Sequence, residues 1–460
     1  MKYIGIGPVS EPMEEPFVVI GGDAAGMSAA SKAKRDDPDR DVIAFERGSW
    51  VSYAACGMPY FVKGDVETLD DLVQITPETF REERNIDIRT NHEVVGIDPD
   101  AQSVTVDDGT ETFEQAYGDL LIATGARAVE PPIDGIDLDG VFTLHHMDDA
   151  AIIDEYLEST AVEQAVVVGG GYVGVEVAEA LAAHDIEVHM VEMLEHILQP
   201  FGEGAARVVE AHLETAGVTL HLETAVDRLE GDGSVERVIA GERALSADLV
   251  VVGVGVAPNA ELAEEAGIER GETGAIATDE YGQTNVPNVY AAGDCAEATN
   301  VVTVNPDWVP LALTANRAGR AIGQTVTGTP TPVGGITGTA IVKAFDLGVA
   351  RTGVLDATRA REAGFEPVSV EIQAPSRAHY YPGATELTVT MVADAESRRV
   401  LGASIAGREG VKRIDTVATA LHAGMNVDDV EALDLAYAPP FSPTWDPVAT
   451  AAKVLAGKLD

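Results

Sequence analysis

The chain has 460 residues, 45% of them hydrophobic, and carries 30 basic against 77 acidic side chains for a formal net charge of −47. This length exceeds one ordinary core and predicts two or three domains, while the charge repels nucleic acid and anionic membranes. No stretch reaches the roughly 18 uninterrupted apolar residues of a membrane span, and two cysteines supply no disulfide framework.

The acidic residues are scattered through every segment, and only eight of the basic ones are lysine. That pattern reads as a halophile's adaptation to salt rather than as an acidic docking surface. The opening residues lack the order of a signal peptide, so a cytoplasmic location is expected. His and Cys never fall at zinc-ligand spacing, and no metal is expected. Residues 1–16 precede the first strand-like run, and Met13 is an alternative start to Met1.

FVVIGGDAAGMSAASKAKR (17–35) reads as an apolar strand, a glycine turn and a small-residue helix. That is the context of a dinucleotide fingerprint, in which turn amides and a helix N-terminus hold a pyrophosphate. Gly21, Gly22, Ala25 and Gly26 are the expected lining, with Asp23 standing where the middle glycine is usual. VIAFE (42–46) reads as the next strand, ending in Glu46, which is placed to bind a ribose hydroxyl. VSYAACGMPY (51–60) then presents Cys56 with no second cysteine nearby. A helix start after Gly57 is expected to lower its thiol pKa; the bland alternatives are a buried packing cysteine and the remnant of a lost dithiol.

LLIATGARAVEPP (120–132) is a buried-strand pattern running into Thr124 and Gly125. AVVVGGGYVGVEVAEALAAHDIEVHMVE (165–192) repeats the fingerprint without departure, through Gly169, Gly171 and Gly174. Its second strand ends at Glu192, and an acid there favours a free 2′-hydroxyl, hence NAD over NADP. VPNVYAAGDCAEA (286–298) is a strand ending at Gly293-Asp294. Asp294 is placed to bind a ribitol hydroxyl, and Cys295 reads as filler beside the turn. Beyond Pro332 the fingerprints stop, and strand-like and helix-like runs alternate.

In this order the four pieces resemble the two-dinucleotide flavoprotein disulfide reductases. The resemblance implies an α/β fold with two Rossmann-like dinucleotide-binding domains and a C-terminal α+β dimerisation domain. The expected divisions are 1–146 and 275–331 for FAD, 147–274 for NAD(P)H, and 332–460 for a homodimer interface. FAD and NADH (or NADPH) are the implied cofactors, with Glu176 beside the nicotinamide; its bland alternative is an exposed helix carboxylate.

VSYAACGMPYFVKG is similar to the segment around the single redox cysteine of coenzyme A disulfide reductases. One thiol cannot store two electrons as an internal disulfide, so a mixed disulfide, persulfide or sulfenic acid is required. RAHYYPGATELTV (377–389) and LDLAYAPPFSPTWDP (435–447) also resemble that branch. There a tyrosine from each reaches across the dimer to the substrate, which implies Tyr380 and Tyr437, with Tyr381 as a second candidate for the first and interface packing as the alternative. Ser52 and Arg35 match substrate-contacting positions, with Lys32 and Lys34 as neighbouring candidates. Two departures stand out: Ala55 replaces an Asn found in some relatives, and the GGDAAG turn lacks the His of peroxide- and oxygen-reducing relatives. The implied activity is NAD(P)H-dependent reduction of coenzyme A disulfide or a related small disulfide through Cys56. The alternatives are a persulfide or polysulfide reductase, an NADH oxidase and, more distantly, a flavin redox sensor or electron-transfer partner.

Overall fold

The computed structural model describes residues 15–460, so the choice between Met1 and Met13 lies outside the described residues. Four apolar residues without a turn former make β1 (Phe17–Ile20), buried along its whole length. The small side chains that follow form α1 (Ala24–Asp36), which returns the chain to β2 (Val42–Glu46), parallel to β1. Asp87–Thr90 extends the sheet beyond β2, while Asp119–Ile122 and then Val289–Ala291 extend it beyond β1. All pairings are parallel, and the unbroken apolar runs suit a sheet covered on both faces.

A second parallel sheet repeats the plan. Gln164–Val168 is flanked by Glu187–Val191 and Leu249–Val252, with Thr219–His221 and Val141–Phe142 at the edges. Each unit also carries a three-stranded antiparallel meander, spanning 93–116 and 228–246. The outermost strands interlock the two units. Val289–Ala291 reaches the first sheet from beyond the second unit, and Val141–Phe142 joins the second sheet ahead of the expected boundary at 146. A two-residue strand carries no periodicity, which hides it from a sequence pattern. Ala126–Ala128 pairs with Val256–Pro258 where the connections cross.

The C-terminal unit is a five-stranded antiparallel sheet with strands Ala340–Ala344, Leu347–Gly353, Val400–Gly407, Glu386–Asp394 and Pro367–Pro375 side by side. One face, with Val389, Met391 and Ile405, packs on helices Ile414–His422, Val427–Glu431 and Pro447–Leu459. The other face, with Val349 and Ala406, closes on the second unit.

The small residues of α1 are explained by its neighbour, helix Ala312–Thr325. A Cβ on Gly319 would lie 2.1 Å from the Ala25 carbonyl oxygen, and one on Gly323 would lie 2.5 Å from that of Ala29. Ala25 is therefore a packing residue of this crossing, facing Gly319 and Gly293. Gly26 is tighter still, since its Cβ would lie 2.0 Å from the Gly21 oxygen, a backbone atom that cannot swing away. Gly26→Ala is expected to lower thermal stability by about 1–3 kcal/mol of overpacking, despite the better helix former. Gly457→Ala, in open space on helix Pro447–Leu459, is expected to gain up to about 1 kcal/mol. Paired thermal melts check both signs.

Candidate active site

The two glycine turns match position for position. Gly21 and Gly169 take φ of +111° and +104°, a region open to glycine at little cost. The Gly22 amide donates to Glu46 Oε2 at 2.8 Å, and the Gly170 amide donates to Glu192 Oε2 at 2.7 Å. The second oxygen of each carboxylate accepts from the backbone just beyond it, from Gly48 N at 2.7 Å and Leu194 N at 2.9 Å. At Gly171, the N-cap of helix Tyr172–Ala182, an added Cβ would find only the Gly253 oxygen, 4.0 Å away. That vacant space above a helix N-terminus fits a pyrophosphate. In the first turn the equivalent position is Asp23, whose Oδ1 accepts from Tyr53 N at 3.1 Å.

Asp294 fits the remainder of an FAD site. It is largely enclosed, its backbone oxygen is held by Trp308 Nε1 at 2.8 Å, and burial alone pushes its carboxyl up to about 6. The carboxylate has no hydrogen-bond partner among the described residues, as suits a group awaiting a ligand hydroxyl. Thr124 is different: its hydroxyl donates to the Asn259 oxygen at 2.6 Å, and Asn259 Nδ2 returns a bond to the Thr124 oxygen at 2.9 Å. The Thr124 side chain thus staples the crossing connections. Gly125 has φ +67° and no atom within 4 Å of an added Cβ.

Ser52 introduces the thiol segment in the left-handed region, at φ +50°. A non-glycine residue there is uncommon and is held only by its surroundings. Here Ser52 N donates to the Gly22 oxygen at 3.0 Å, and Gln74 N donates to the Ser52 oxygen at 2.8 Å. Cys56 then sits in a 3-10 turn, Ala55–Gly57, which runs into the six-residue helix α2 (Met58–Lys63). The residue is exposed, while protein surrounds most of its thiol. The expected lowering of its pKa is not found. Burial pushes the thiol up, and the charges of Glu176, Asp294 and Asp23 push the same way. A helix this short, entered through a 3-10 turn, brings too little dipole to outweigh three carboxylates. Cys295, by contrast, is fully buried, its sulfur against the Ile122 and Ala292 oxygens.

Glu176 is no exposed helix carboxylate. Tyr60 Oη of α2 donates to its Oε1 at 3.0 Å, and burial pushes the carboxyl up to about 7. Among the three basic residues of α1, Lys32 pairs with Asp36 and Lys34 turns inward to the Pro38 and Arg40 oxygens. Arg35 alone is exposed without an ion-pair partner among the described residues. Tyr380 and Tyr437, distant in sequence, meet hydroxyl to hydroxyl at 3.3 Å on the outside of the C-terminal unit. They share a surface with exposed Tyr381, Phe441 and Trp445. Sequence reasoning missed Tyr60, Asn259 and Trp308; the first two act through contacts with residues more than a hundred positions away, and Trp308 through Asp294.

Two parallel sheets with paired glycine turns, a lone open thiol between them and a separate antiparallel unit define a class, and the chain belongs to it. Residues 15–319 match the pyridine nucleotide-disulphide oxidoreductase family and residues 339–448 match its dimerisation domain. The chain is thus an oxidoreductase of an FAD-dependent family that uses NAD(P)H. An NAD(P)H coenzyme A polysulfide/persulfide reductase of Pyrococcus horikoshii is 42% identical over 448 residues, 97% of this chain and 100% of that protein. A coenzyme A disulfide reductase of Staphylococcus haemolyticus is 31% identical over 433 residues, 93% of this chain and 96% of that protein. The solved structure of an NAD-dependent persulfide reductase from A. fulgidus is similar with a TM-score of 0.93 at 41% identity, covering 96% of this chain and 83% of that one.

Asp23 has a measurable cost. Burial, reinforced by Glu46 and Asp294, raises its carboxyl to about 6 against an ordinary 3.8. A raised carboxyl costs stability as pH climbs from its unfolded to its folded pKa, and the cost is constant above. Asp23→Asn is expected to stabilise the cofactor-free protein at pH 8 by about 1–3 kcal/mol, the gain roughly halving by pH 5. Denaturation midpoints at the two pH values check the sign.

Proposed function

We propose that the protein uses NAD(P)H to cleave the sulfur–sulfur bond of a coenzyme A-linked substrate through Cys56. The carrying observation is the lone open thiol: the other cysteine is buried, so the second sulfur of any disulfide formed here comes from the substrate. Sequence reasoning puts coenzyme A disulfide first. The polysulfide/persulfide reductases at 41–42% identity, against 31% for the disulfide reductase, favour coenzyme A persulfide as the leading substrate. Both consume one NAD(P)H and one proton; the persulfide yields coenzyme A and hydrogen sulfide, the disulfide two coenzyme A thiols.

In this reading the first turn, Glu46 and Asp294 hold FAD, which supplies the two-electron chemistry between nicotinamide and sulfur. Gly169, Gly171, Gly174 and Glu192 hold the nicotinamide dinucleotide. Ser52 and Arg35 receive the coenzyme A moiety, the free guanidinium suiting phosphate in a protein otherwise hostile to anions. Cys56 as thiolate attacks the substrate sulfur and forms a mixed disulfide with coenzyme A, expelling hydrosulfide or a second thiolate. Tyr380 and Tyr437 of a second copy donate hydrogen bonds to the departing sulfur. Their exposure beside Phe441 and Trp445 suits a homodimer that completes the site. Two unpaired thiols and the acidic surface suit a reducing, saline cytoplasm.

NADH consumption at high salt with coenzyme A persulfide, coenzyme A disulfide, polysulfide and oxygen tests the reading. Cys56→Ser is expected to lose about a thousandfold or more with either coenzyme A substrate, the scale of losing a nucleophile. Inert coenzyme A substrates, with oxygen turned over undiminished in Cys56→Ser, would overturn it. The Glu192 carboxylate predicts a KM for NADH roughly tenfold below that for NADPH, about one hydrogen bond's worth. The reverse order defeats that assignment.

A further inference from the structure

Cys56 and Tyr60 lie four residues apart on one continuous helical segment, 55–63, and so share a face. Tyr60 carries that face to the second unit, where its hydroxyl meets Glu176 Oε1 at 3.0 Å. Glu176 stands in the second turn of helix Tyr172–Ala182, which the glycine turn Gly169–Gly171 leads into. The helical segment that carries the thiol is therefore tied to the helix of the second dinucleotide site by the Tyr60–Glu176 hydrogen bond.

We propose that Glu176 governs the ionisation of Cys56 and that Tyr60 is the positioning residue through which its charge is set. When Glu176 is protonated the thiolate forms readily; when Glu176 is ionised the thiolate is held back. This rests on Cys56 being the working thiol.

The surroundings make the carboxylate responsive. Facing Glu176 are Tyr60 from α2, Glu179 from its own helix and Lys343 from strand Ala340–Ala344. Glu179 is itself engaged by Lys63, Lys343 and the Phe345 amide. Burial raises Glu176 to about 7, Glu179 adds to the rise, and the Tyr60 hydrogen bond and Lys343 oppose it. Facing Cys56 are Glu176, Asp294 and Asp23, with Glu176 the strongest of the three charges. The interaction is reciprocal: a thiolate at Cys56 favours protonation of Glu176 as an ionised Glu176 opposes the thiolate. In the proposed reaction, attack on substrate removes the thiolate's charge and so lowers the proton affinity of Glu176.

The test is the pH profile of Cys56 alkylation by iodoacetamide in the reduced holoenzyme, with the adduct located by mass spectrometry. Glu176→Gln is expected to move the midpoint down by about 0.5–1 pH unit, the effect of one partly screened charge. Tyr60→Phe removes the donor that steadies the Glu176 anion. It is expected to speed alkylation about twofold between pH 7 and 8 and to converge on wild type above pH 9. The double variant should match Glu176→Gln alone. A Glu176→Gln profile identical to wild type, or a double variant unlike Glu176→Gln, overturns the proposal. The readout does not depend on substrate: shifted profiles with inert coenzyme A substrates leave this inference standing and defeat the substrate reading. Unmoved profiles with turnover lost in Cys56→Ser do the opposite.

Discussion

Each dinucleotide turn is held by one carboxylate that accepts from two backbone amides, Glu46 from Gly22 and Gly48, and Glu192 from Gly170 and Leu194. A glycine turn has no side chains with which to fix itself, and its amides must remain free on the side where a phosphate arrives. The carboxylate ties the turn down from behind and fixes the end of the neighbouring strand with it. Everything at the centre of the molecule refers back to that clamp: α1 and helix Tyr172–Ala182 take their direction from the turns, and Ser52 is bonded to Gly22. The thiol segment follows Ser52. Hydrogen bonds to a charged acceptor are the strong ones, so two acids do the fixing that longer polar segments would otherwise supply.

The same economy gathers negative charge at the centre. Asp23, Glu46, Asp294 and Glu176 surround the Cys56 segment, and the thiol and three of these carboxyls resist ionisation. In a chain with a net charge of −47 the surface offers little relief. The cluster is retained against its own stability, which is the ordinary signature of a site that needs shifted proton affinities.

Much of this was readable in the sequence because its signals are local. A four-residue apolar run, a glycine turn and an acid at the next strand's end lie within thirty residues, and the structure repeats that order in both units. The placement of Cys295 in the core was also readable, from its small neighbours. What escaped depends on contacts between distant segments. The Thr124–Asn259 staple and the Tyr60–Glu176 bond each join groups whose meeting only the assembled fold decides. The thiol's raised pKa escaped for a related reason. A sequence shows a helix start, whereas the opposing carboxylates arrive from three other places along the chain.

The outer strand of the first sheet, Val289–Ala291, bears on how the protein is made. Leu120 pairs with Val289, so the sheet that begins at residue 17 stays one strand short until the whole second unit has left the ribosome. Asp294 follows that strand directly. During synthesis the second unit can fold as a block, while the first waits with an open edge and an incomplete pocket. Under the proposed assignment of Asp294 to the flavin site, flavin capture is thereby deferred to the final third of translation, and the order of domains along the chain becomes an order of assembly in time.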